Sequence, residues 1–180
     1  MLKRTGQIIS VFLIVSFLVL VQFSFVSALP APFRQFNLIL TVLIFTLFFM
    51  DFRSALVAAL LAGFWLDVLS FYSFGFYLLI IFASLLLAQW ILKNWLTNRS
   101  LYALSALLIV ITVFYNFLAA IVLYIFSSDY TAFFLTQGNF WITLLYQAGW
   151  SLLASLIFFN LAALVSRRIK PFFLEKKSFI

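Results

Sequence analysis

The chain has 180 residues, 67% hydrophobic and 8% charged; 11 Lys and Arg outweigh 4 Asp and Glu, and there is no His or Cys. Soluble domains carry about 45–50% apolar and about 25% charged residues, so this composition, with a mean hydropathy of +1.25, excludes water-soluble enzymes, nucleic-acid readers and disordered linkers. The missing His and Cys exclude disulfides, thiol chemistry, Cys/His metal sites and imidazole catalysis, and no segment shows the period-two alternation of a transmembrane β-barrel.

A helix crossing about 30 Å of hydrocarbon needs roughly 20 residues. On that ruler the chain reads as one integral membrane domain over residues 1–180 with six predicted spans, an all-α polytopic bundle. The first span covers residues 7–29 and ends at the breaker Leu29-Pro30-Ala31-Pro32; the second, 35–50, is short. The turn Asp51-Phe52-Arg53 leads into the third, 54–71, and Tyr72-Ser73 into the fourth, 74–92, with Gly75 near its start. The fifth covers 101–126, a connector 127–140 follows, and the sixth covers 141–165 before a basic tail, 166–180. An alternative reads the first segment as a secretory signal cleaved after Val26-Ser27-Ala28, although its apolar run exceeds the usual length of about 7–15 residues.

Lys and Arg set the orientation. With six spans, Lys3, Arg4, Arg53, Lys93, Arg99, Arg167, Arg168, Lys170, Lys176 and Lys177 fall on one side and Arg34 alone on the other. Both termini are therefore expected in the cytoplasm. Trp90, Trp95 and Tyr102 would form an inner aromatic belt, and Tyr72, Tyr130 and Trp141 an outer one. The net charge of +7 is explained by this arrangement and does not call for nucleic acid. The tail also suits attraction to anionic lipids, worth about 1 kcal/mol per basic residue near the surface.

Asp67 is the ionisable residue lying well inside a predicted span, roughly 20 Å from the inner boundary at 1.5 Å per residue. Gln22, Asn116 and Gln147 fall at a similar depth on three other spans. Two readings stay open: interhelical hydrogen bonds that hold the bundle, or a polar cluster lining a pocket or partner groove near the outer face. Ala55, Ala59 and Gly63 recur every four residues on the third span, as do Ala58 with Ala62, and Ser151 with Ser155 on the sixth. Small-xxx-small spacing lets helix backbones approach closely, which makes the third helix the expected bundle centre.

The stretch Leu60-Leu61-Ala62-Gly63-Phe64-Trp65-Leu66-Asp67, followed eight residues later by Gly75 and an apolar helix, resembles the rod shape-determining protein MreD family. The resemblance extends over about residues 33–126, including the basic 93–99 connection, with Arg34 and Asn37 at the start of the second span lacking the Pro expected between them. It implies a non-catalytic scaffold subunit of bacterial cell elongation in the cytoplasmic (inner) membrane, with no cofactor or metal. The implied partners are an MreC-like membrane protein, the peptidoglycan transpeptidase and glycosyltransferase, and, indirectly, MreB filaments. The implied fold is similar to the substrate-binding subunits of energy-coupling-factor transporters. Gly63, Asp67 and Gly75 would be the structural residues of the third-to-fourth helix hairpin, with Asp67 anchoring its end.

The rival function is substrate capture for an energy-coupling-factor-type vitamin transporter. It fits six spans and an outer polar layer, but the first span lacks the Ala-x-x-x-Ala stripe those subunits dock with. An intramembrane enzyme is disfavoured, because a lone carboxylate without a second acid, His or Cys is a poor catalytic set.

Overall fold

The structure, a computed structural model, describes residues 12–31, 33–70, 72–95, 100–126 and 138–169, with backbone alone at 126, 138–139 and 158–169. The start of the first span, the 127–137 connector, residues 96–99 with Arg99, and the tail beyond 169 lie outside the described residues. The described residues are all-helical. Helix α1 is Phe12–Val26, its last six residues wound as a π-helix, Val21–Val26. After a 3₁₀ turn, Phe33–Gln35, come α2 (Leu38–Phe49), α3 (Phe52–Leu69), α4 (Phe76–Asn94), α5 (Leu101–Phe126) and α6 (Gly138–Ile169).

Four of these, α3 to α6, are long and apolar enough to cross a membrane. Helix α2 has 12 residues and rises about 18 Å at 1.5 Å per residue, less than a full crossing. The predicted second span, 35–50, is therefore shortened at its start: Gln35 belongs to the separate turn Phe33–Gln35, and the helix begins only after Asn37. Asn37 sets that start because its side chain accepts a 3.0 Å bond from the Leu40 N–H, satisfying a donor that an unfinished helix end leaves open. Ser100 does the same for α5, accepting from the Ala103 N–H at 3.2 Å. Helices α3 and α4 start and stop within two residues of the predicted spans, and α6 extends past both predicted ends.

Successive helices pack antiparallel, so the α1–α2 and α3–α4 joints, the end of α5 and the start of α6 share one end of the bundle. The core is apolar and centred on α2, α4 and α5, where Ile44, Phe48, Ile80, Leu85, Leu104, Leu107 and Ile111 are fully buried. This corrects the expectation for the bundle centre. Helix α4, which packs against α2, α3 and α5, occupies it, while α3 buries one face made of small residues and Asp67. Ala55, Ala58, Ala59, Ala62 and Gly63 turn inward; Val57, Leu60, Phe64 and Val68 on the opposite face are exposed. Exposed apolar residues recur elsewhere, including Leu13, Ile14 and Phe17 on α1 and Leu145, Leu153 and Ile157 on α6. Such a surface is at odds with water and suited to lipid. Trp90, Trp95 and Tyr102 lie exposed at one end, Tyr72 and Trp141 at the other.

Candidate functional site

Helix α4 begins with Gly75, which has no side chain to cap it and adopts φ 97°, ψ −9°. The cap comes from the preceding helix. The Asp67 carboxylate accepts from the Gly75 N–H at 3.0 Å, the Tyr77 N–H at 2.7 Å and the Leu78 N–H at 3.2 Å. The Phe76 N–H goes to the Ser73 carbonyl at 3.2 Å and the Leu79 N–H to the Gly75 carbonyl at 3.0 Å. Every amide of this helix start is thus accounted for, and the acid sits at the positive end of the helix dipole. Asp67 is only 4% exposed; at the same joint Tyr72 stacks on Phe76 with centroids 4.9 Å apart and Phe64 meets Phe74 edge-on at 5.9 Å.

Gly63 lies one helical turn before Asp67, on the same face. A Cβ built there would sit 2.8 Å from the Leu78 Cα. Its absence brings the α4 backbone within reach of the Asp67 carboxylate. The two glycines thus serve different ends: Gly63 permits contact, and Gly75 permits a left-handed turn, with nothing within 4 Å of where its Cβ would be. Gly75→Ala is accordingly expected to cost about 1–2 kcal/mol through backbone strain alone, read as a lower unfolding midpoint in detergent with helix content unchanged.

The predicted polar layer resolves into separate groups. Asp67 is consumed by its hairpin. Gln22 bridges from α1 to the start of α2, donating to the Phe36 carbonyl at 3.1 Å and accepting from the Leu38 N–H at 2.9 Å. Asn116 donates to Gln147 Oε1 at 2.8 Å and to the Thr112 carbonyl at 2.8 Å, joining α5 to α6. A second rung, Ser105 to Ser155 at 3.0 Å, continues that seam. A double-mutant cycle of Asn116→Leu and Gln147→Leu is expected to give a coupling of about 0.6 kcal/mol, with about 1.7 kcal/mol as the ceiling for such pairs.

Gln22 and Gln147 both line a cavity of about 300 Å³. It lies at the same end of the bundle, between α1, the 3₁₀ turn and all of α2 to α6, with Leu66 as the contribution of α3, and neither Asp67 nor Asn116 lines it. Ser27, Arg34, Gln35, Asn37, Tyr77 and Tyr115 complete its polar wall. The sequence places Arg34 in the charge asymmetry and, with Asn37, in the family resemblance, and gives no role to Gln35 or the two tyrosines. The available signal was Asn37 before the apolar run at Leu38, which marks a helix start facing this space. A second cleft, of about 220 Å³ between α1, α2 and α3, is almost wholly apolar, with only Thr46 and Ser54 as polar liners. Among the described residues no group of three or more acids forms a metal site. No protein-family model, curated protein or solved structure matches this chain.

Proposed function

We propose that the chain is an MreD-like scaffold of the bacterial cytoplasmic membrane, a six-span subunit with both termini inside. In this reading it performs no chemistry. It binds an MreC-like membrane protein and couples it to the peptidoglycan transpeptidase and glycosyltransferase, and through them to MreB filaments. Its fold is proposed to be that of the energy-coupling-factor substrate-binding subunits.

The observation that carries the reading is the unity of the Gly63–Asp67–Gly75 element. The residues on which the family resemblance rests form one hydrogen-bonded hairpin, a rigid joint suited to presenting fixed helix faces to a partner. Helices α1 and α2, though short, continue the antiparallel alternation, and Arg53 and Lys93 lie at the end opposite Arg34, which supports the orientation. Against the transporter alternative, the small-residue stripe of α3 is buried against the protein's own helices and is not free to dock a second subunit.

Asp67 is enclosed and its oxygens are engaged, so it would influence a partner through the hairpin and not by direct contact. Co-purification in mild detergent with an MreC-like protein tests the function. The wild-type chain is expected to retain that partner, and Asp67→Asn to insert normally while retaining less. Failure of the wild type to hold it, with a vitamin carried through purification instead, would favour the transporter. The chain has no Cys, so single cysteines placed at Lys3 and Lys176 test the topology. Both should resist membrane-impermeant thiol reagents in intact cells.

A further inference from the structure

The polar cavity has no role in the scaffold reading, yet it is built as a site. The chain is 67% hydrophobic, but this one space gathers a guanidinium, several amides and two phenols. Its wall is held in place by bonds that do not involve any occupant. Gln22 is fixed at both amide atoms by Phe36 and Leu38, and Asn37 Oδ1 by Leu40. Gln147 Oε1 is taken by Asn116, which leaves its NH₂ as the group for the cavity. Such preorganised polar groups fix the orientation of small ligands, and about 300–1,000 Å³ is the usual size of their sites.

Two further features point to an occupant. Gln35 Oε1 is buried without a hydrogen-bond partner, a costly state for a polar atom unless something else meets it. Arg34 is the cation of this wall and belongs to no ion pair among the described residues. The Asp67 carboxylate at the same end is spent on three backbone amides. The cavity therefore offers a positive group at its exposed edge, amide donors and an acceptor further in, and the rings of Tyr77 and Tyr115 as walls.

We infer that this cavity binds a small organic phosphate or carboxylate, with the oxyanion on Arg34 and a hydroxyl- or amide-bearing body against Gln35 and Gln147. A soluble metabolite and the headgroup of an anionic lipid share that chemistry. The test uses the full chain in nanodiscs of neutral phosphatidylcholine, titrated with glycerol 3-phosphate while the unfolding temperature is followed. In parallel, nanodiscs containing increasing phosphatidylglycerol are measured without the soluble probe.

A saturable rise in unfolding temperature with glycerol 3-phosphate assigns a soluble ligand; a saturable rise with phosphatidylglycerol alone assigns a lipid headgroup. In either case Arg34→Gln should weaken the apparent affinity at least tenfold, and Arg53→Gln, at the opposite end, should leave it unchanged. Gln35→Leu removes no observed hydrogen bond, so it should weaken binding without lowering the unfolding temperature of the free protein, which separates ligation from folding. No saturable rise with either probe, or equal rises in wild type, Arg34→Gln and Gln35→Leu, would overturn the site.

Discussion

Replacing Asp67 by Ala is expected to be the most damaging single change in the molecule, lowering stability by about 3–5 kcal/mol. The change strands three N–H groups at the start of α4, each worth about 1–3 kcal/mol when buried without a partner, and the three combine less than additively because they share one acceptor. Asp67→Asn is expected to cost about 1–3 kcal/mol. Its single oxygen, placed where Oδ2 now accepts from Gly75 and Leu78, keeps two bonds. Its NH₂ then faces the Tyr77 N–H, now 2.7 Å from Oδ1, donor against donor. Unfolding in mixed micelles gives the ranking wild type, Asn, Ala. Amide hydrogen exchange at Gly75, Tyr77 and Leu78 locates the effect: exchange should quicken there before it does in α5. Unchanged protection of those amides in Asp67→Ala would show that the carboxylate does not cap the helix.

The contrast between Asp67 and the other polar residues shows what a sequence of this kind reveals. Helix existence was legible because lipid imposes a length and an apolar composition, and α5 matches its predicted span, 101–126. The hairpin was partly legible, since Gly63 and Asp67 share a face by helical spacing and Gly75 marks a break. That Asp67 would replace the missing cap of Gly75 was not, because it depends on how closely α3 and α4 approach. Depth grouped Gln22, Asn116, Gln147 and Asp67 in one layer, but rotation about each helix axis decides contact. Rotation turned Asn116 to Gln147 and Asp67 to its own hairpin. Gln22 satisfied the backbone where the chain re-enters a helix at Leu38. Local backbone demand there outcompeted long-range clustering, as expected where buried amides must all be paired.

The centre of the bundle lies away from the small-residue stripe for a related reason. Alanine and glycine mark where backbones come close, not where most apolar volume is buried. The small face of α3 makes a tight seam with α4, while large residues such as Phe48, Ile80 and Leu107 fill the core around α4. Close approach and centrality are separate properties, and the sequence signal reports only the first.

Gly63 tests that seam directly. Gly→Ala in a helix ordinarily gains up to about 1 kcal/mol from reduced chain entropy. At Gly149 on α6, where a Cβ would meet nothing within 4 Å, that gain is the expected result. At Gly63 the new Cβ would lie 2.8 Å from the Leu78 Cα and 3.3 Å from the Leu78 N and Cβ. The obstacle is backbone, so no side-chain rotation relieves it and the two helices must separate. Overpacking of this kind costs about 1–3 kcal/mol, enough to reverse the sign of the propensity gain, and Gly63→Val, with branching at Cβ, should cost more. Separation would also lengthen the bonds from Asp67 to α4, so Gly63→Ala and Asp67→Ala are expected to combine less than additively, whereas Gly149→Ala adds independently to either. Unfolding midpoints for the four single variants and the three pairwise combinations of Gly63→Ala, Asp67→Ala and Gly149→Ala decide the matter. Equal stability of Gly63→Ala and wild type would mean that the α3–α4 seam has room to spare and that glycine there sets no helix distance.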